Sequence, residues 1–145
     1  MTKGHDCKYY KELNEWGIDD LPNKLRFHRV IYAYCFEKGK LWCVYHNQKY
    51  HTCIDVISID RITVLKKLQH NGWRHLTSVC PFNNMIAFLG GQDANELPSS
   101  KCELYDVDRD EWKIIANMKK GRFQSSAWSV QGRYIYNFGG LAFNP

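Results

Sequence analysis

An all-β fold, built as a repeat of four-stranded antiparallel sheets, is what this sequence predicts, on three observations. The apolar runs are short, rich in β-branched and aromatic residues, and bounded by turn residues, which is the pattern of strands rather than helices. Two of those runs close on a glycine pair, Gly90-Gly91 and Gly139-Gly140, placed 49 residues apart. A tyrosine and a tryptophan with six residues between them also recur, at Tyr105 and Trp112 and again at Tyr9 and Trp16.

The strand candidates are residues 30–36, 40–46, 53–59, 62–68, 76–81, 85–89, 102–107, 112–116, 124–130 and 134–138. Glu37-Lys38-Gly39, Asn83-Asn84, Asp108-Arg109-Asp110 and Gln131-Gly132 supply turns between them, each using residues that tolerate tight or left-handed backbone. The one helix expected is short and falls within residues 8–16. Four short strands in roughly 45–50 residues is the signature of propeller blades.

Three copies emerge once a register is set. Gly39 to Asn47 lines up with Gly132 to Gly140 without a gap, which places Arg29 on Arg122, while Arg74 opens the middle copy. Asp55 to Arg61 matches Glu103 to Arg109. Glycine suits the end of a packed strand because it accepts positive φ and close backbone approach. Tyr105 and Trp112 offer large flat surfaces for packing one twisted sheet on the next.

These residues resemble the kelch repeat, which runs from an arginine through one strand and a second ending in Gly-Gly, then Tyr, six residues and Trp. Residues 74–118 match every element, with Arg74, Gly90-Gly91, Tyr105 and Trp112; residues 122–140 match the first half. Residues 29–70 are degenerate, with His46-Asn47 for the glycines, Ile57 for Tyr and Val64 for Trp. The resemblance implies an incomplete kelch-type β-propeller of about three blades. Its parts are the end of a first blade with its connecting loop (1–28), a degenerate repeat (29–71), a complete repeat (72–121) and the first half of another (122–145). Kelch propellers generally close with about six blades, and an open arc leaves strand edges unpaired. The expectation is a longer protein, or a ring completed by another chain as a homodimer or hetero-assembly.

Composition narrows the function classes. With 145 residues, 44% of them hydrophobic and 14% aromatic, the chain is too apolar for a disordered segment. The net charge of +5 is dispersed, its longest basic runs being Lys66-Lys67 and Lys119-Lys120, so no nucleic-acid partner is expected. The six cysteines form no C-x-x-C pair, which argues against zinc-ribbon and thioredoxin-like sites. Cys35, Cys43, Cys53 and Cys102 sit in or beside apolar runs, as small hydrophobes do. No secretory pattern follows Met1 and no apolar run approaches a membrane span. The expectation is a soluble, reduced, cytoplasmic protein with no membrane partner; a secreted disulfide protein is the alternative.

No hydrolase, metalloprotease, phosphate-loop or dinucleotide motif is present. Neither His46 with His51 nor His70 with His75 has a ligand spacing. Asp106, Asp108, Asp110 and Glu111 lack the central glycine of a calcium loop and read as a solvated turn. Galactose oxidase carries copper on kelch repeats, but its ligands map to no position here. No catalytic residue, cofactor or metal is expected.

The function expected is therefore a non-enzymatic protein–protein interaction scaffold binding a partner or an acidic peptide through its propeller-face loops. The alternative is an architectural arc of a larger assembly; a kelch-based oxidase ranks last. By the resemblance, Arg29, Arg74 and Arg122 are the anchors for acidic segments, with Tyr50 and Trp73 as aromatic neighbours. Arginine's planar fork takes a carboxylate bidentately, and aromatics concentrate binding energy. The competing role for these arginines is to bond loop carbonyls.

Overall fold

A computed structural model describes residues 5–10, 15–20, 31–46, 52–58, 63–70 and 75–142. Their strands are β1 (His5–Tyr10), β2 (Glu15–Asp20), β3 (Ile31–Glu37), β4 (Lys40–His46), β5 (Thr52–Ser58), β6 (Thr63–Gln69), β7 (Ser78–Phe82), β8 (Met85–Leu89), β9 (Cys102–Asp106), β10 (Glu111–Ile115), β11 (Phe123–Val130) and β12 (Tyr134–Leu141). No helix occurs among the described residues, and none is long and apolar enough to cross a membrane.

The helix expected within 8–16 is corrected: β1 and β2 are antiparallel strands there, with Tyr9 opposite Trp16. The adjacent Tyr9 and Tyr10 at the end of β1 favour extended backbone over helix.

Strands β3 to β6 form one four-stranded sheet and β7 to β10 a second, while β1–β2 and β11–β12 are two-stranded. Every pairing is antiparallel and joins strands consecutive in sequence. The sheets are separate hydrogen-bonded units and do not close on one another.

The turns explain the registers. Lys38 and Gly39 both have positive φ, 49° and 72°, in a two-residue loop between the paired Glu37 and Lys40; this twist matches that of the flanking strands. Between β11 and β12 the loop has three residues, 131–133, because Val130 pairs with Tyr134. The gap-free alignment of the two copies therefore slips by one across this turn. It places Trp42 on Ile135, yet Trp42 packs toward the following sheet and Ile135 toward the preceding one.

The core lies between sheets. Trp42, Val44, Ile54 and Val56 pack against Val79, Ile86, Phe88 and Tyr105. The other face of the second sheet, with Cys80, Ala87, Leu89 and Leu104, packs against Ala127 and Ile135 of the β11–β12 hairpin. The alternation Ile86, Ala87, Phe88, Leu89 thus feeds two cores in turn, as a sheet covered on both faces requires. Buried Asp55 is satisfied by the Tyr45 hydroxyl at 2.8 Å, since an unpaired buried carboxylate would be costly.

The six-residue spacing of Tyr and Trp has a geometric cause. Tyr105 and Trp112 stand opposite each other across β9 and β10, as do Ile57 and Val64 across β5 and β6. The Trp112 ring lies 5.1 Å from that of Tyr105, 4.9 Å from Phe88 and 4.6 Å from His70, which follows β6. Tyr105 is 1% exposed, and each such ring pair adds about 0.5–1.5 kcal/mol beyond burial.

Candidate protein-binding surface

Strand β7 lies beside both β3 and β11, so the first strands of three successive sheets come together. The Ser78 hydroxyl sits 2.9 Å from that of Ser125 and donates to the Leu89 carbonyl at 3.2 Å. An open cavity of about 300 Å³ follows this line, bordered by Tyr34, Thr77, Ser78, Ser125 and Ser126. It presents hydroxyls but no carboxylate, imidazole or thiol, and so no general base or metal donor set.

The glycine pairs sit where one sheet receives the chain entering the next. Gly90 and Gly91 have φ of 63° and 104°, and the Gly91 N–H donates to the Arg122 carbonyl at 2.8 Å. A Cβ on Gly90 would lie 2.3 Å from that carbonyl oxygen. Gly139 and Gly140, at 63° and 83°, repeat the conformation.

Arg122 works within this junction. Its Nη1 donates to the Gly139 carbonyl at 2.9 Å, its backbone N–H donates to the Ser99 carbonyl at 3.1 Å, and its Nε is buried without a hydrogen-bond partner. Arg29, Tyr50, Trp73 and Arg74 lie outside the described residues.

The acidic turn after β9 is tied by lysines. Asp106 accepts from Lys113 at 2.6 Å and from the backbone N–H of Arg109 and Asp108 at 3.1 and 3.2 Å. Lys113 first, then the Arg109 N–H, holds the Asp106 carboxyl below its ordinary range. Asp110 pairs with Lys66 of the preceding sheet at 2.7 Å and accepts from the Tyr105 hydroxyl. Its carboxyl too is held low, by Lys66 ahead of Tyr105. Among the described residues, no three His, Cys, Asp or Glu side chains are grouped to hold a metal ion.

Cys35, Cys43, Cys53, Cys80 and Cys102 are all free and buried. Burial pushes the Cys35 thiol up to about 12, and those of Cys43 and Cys80 to about 11. Thiols held protonated in this way are neither nucleophiles nor ready metal ligands.

A group of four exposed aromatic side chains on β11–β12 lies outside the residues that the motifs single out. Along β11–β12, Ala127 and Ile135 point to the core while Trp128, Tyr134, Tyr136 and Phe138 are 67%, 54%, 48% and 57% exposed. Trp128 stands opposite Tyr136, and the rings of Tyr136 and Phe138 stack at 6.0 Å. The signal was available: aromatics at 134, 136 and 138 have the period of one sheet face. Among the described strands β12 pairs only with β11, so its other edge is open. No family model matches the chain, and no curated protein matches it.

Proposed function

We propose that this chain is a non-enzymatic protein-binding scaffold whose sheets are kelch-type propeller blades. Its support is the repeated Gly-Gly, Tyr and Trp pattern, together with the side-by-side placement of β3, β7 and β11. One observation carries the binding role: four large aromatic side chains stand exposed on one face of β11–β12, next to an open strand edge. Contiguous exposed apolar surface marks interaction sites, and an open edge offers a row of backbone donors and acceptors. Tyr and Trp are the residue types that dominate binding energy at interfaces.

Arg29, Arg74 and Arg122 supply the second contact region in this reading. The +5 net charge favours association with acidic segments. Arg122 already spends one guanidinium nitrogen on the Gly139 carbonyl, so its contribution is the smaller of the two regions.

The test is selection of peptides from a random display library on the folded chain, followed by titration against a Trp128→Ser, Tyr136→Ser double variant. Near-UV circular dichroism establishes that the variant keeps its packed aromatics. Selected peptides are expected to lose at least about tenfold in affinity, as for hot-spot truncation. Peptides that bind both proteins equally would remove the aromatic face as the site.

A further inference from the structure

We infer that the open edge of β12 is taken by β1 of a second copy of this chain, so that β11 and β12 of one copy join β1 and β2 of the other in a single four-stranded sheet. The inference rests on β11–β12 being a binding surface and names its occupant.

The two complete sheets share one plan. The second strand pairs with a third, and a fixed position on the third stands opposite a fixed position on the fourth: Ile57 with Val64, Tyr105 with Trp112. Hairpin β11–β12 reproduces the first two strands, closing on Gly139-Gly140 as β8 leads into Gly90-Gly91. Hairpin β1–β2 reproduces the last two. Tyr9 stands opposite Trp16 and Tyr10 opposite Glu15, as Tyr105 stands opposite Trp112 and Asp106 opposite Glu111. In each hairpin the last paired positions, Tyr10 with Glu15 and Asp106 with Glu111, are five residues apart in sequence, and Tyr9, Ile57 and Tyr105 follow at intervals of 48 residues. The two hairpins thus correspond to complementary halves of the four-stranded plan.

Within one copy the halves do not meet: β1 pairs only with β2 and β12 only with β11 among the described strands. A two-stranded hairpin is marginal by itself, and a third and fourth strand change that. The exposed face makes the same demand. Tyr136 and Phe138 occupy the positions of Ala87 and Leu89, which are buried against the sheet that follows. A second copy brings a further sheet, β3 to β6, directly after its β1–β2 in sequence.

The middle sheet also gives the register. There Ile86 stands opposite Tyr105 and Phe88 opposite Glu103. Carried over by the 49-residue offset of the glycine pairs and the 96-residue offset of the tyrosines, this places Ile135 opposite Tyr9 and Asn137 opposite Cys7. The exchange is mutual, so two copies close on a two-fold axis, as isologous dimers do. Together they hold four sheets of their own and two that are shared.

The test combines light scattering with a directed cross-link. The full chain is expected at twice its 17.1 kDa mass. An Asn137→Cys variant, oxidised mildly, should give a disulfide-linked dimer on a non-reducing gel through native Cys7. Adding Cys7→Ser should abolish it, and Tyr136→Cys, one residue out of register, should cross-link at least tenfold more slowly. The other five cysteines are buried and do not compete. A monomeric wild-type chain at tens of micromolar overturns the inference, as does a disulfide formed within one chain. A dimer that ignores both the cross-link register and the Trp128→Ser, Tyr136→Ser changes overturns it as well. If the chain is monomeric yet still binds selected peptides through Trp128 and Tyr136, the inference fails while the binding role stands.

Discussion

Gly90 and Gly139 share a φ of 63° and differ in what surrounds them. A Cβ at Gly139 meets nothing within 4 Å, while one at Gly90 would overlap the Arg122 carbonyl at 2.3 Å. Gly139→Ala therefore carries only the left-handed backbone cost, about 1–2 kcal/mol. Gly90→Ala adds a steric overlap with a backbone atom that is itself hydrogen-bonded to Gly91, and should cost roughly 3 kcal/mol or more in total. Urea denaturation of the two variants checks this: equal midpoints would contradict the packed junction. The same scale shows what the sequence concealed. The glycine pairs announced themselves by repetition, but which member was crowded depended on a chain segment some thirty residues away, and no local pattern carries that.

At the scale of elements, the acid side of the stability profile should report the turn between β9 and β10. Asp106 has a depressed carboxyl pKa, set first by the Lys113 hydrogen bond. A group depressed in the folded state stabilises fully above its unfolded value of about 4, and that contribution fades as pH falls through the folded value. Asp106→Asn is thus expected to flatten the fall in urea midpoint below about pH 4 while lowering stability at neutral pH; an unchanged acid slope would place the sensitivity elsewhere. Strand positions were legible because short aromatic and β-branched runs between turn residues have few other solutions. The Tyr and Trp spacing was legible too, since it counts residues around a hairpin with a four-residue loop. Residues 8–16 were misread because six-residue strands such as β1 and β2 offer too short a window for either period to stand out. The slip between Gly39 and Gly132 arose because loops of two and three residues both centre on glycine, and only pairing tells them apart. The aromatic face went unnoticed because alternation reveals that a face is apolar, not that it is left uncovered.

Across the whole molecule, the sheet β7 to β10 is the one covered on both faces by described neighbours. Its backbone amides should exchange with deuterium most slowly, those of β8 and β9 above all, and those of β11 and β12 faster by at least an order of magnitude in the unassociated chain. Mass-spectrometric exchange on peptic fragments reads this directly; faster exchange in β8 than in β12 would mean the cores are not where the side chains place them. On self-association the protection of β12 should rise toward that of β8, since its open edge becomes paired.

Every described pairing joins strands that are neighbours in sequence. During synthesis, each complete sheet can therefore assemble as soon as its fourth strand leaves the ribosome, without waiting for anything made later. Sheets shared between two copies, as inferred above, would be the exception: they would form after release at a rate set by how many chains are present, so that a last step of maturation would depend on protein concentration although every earlier one is local.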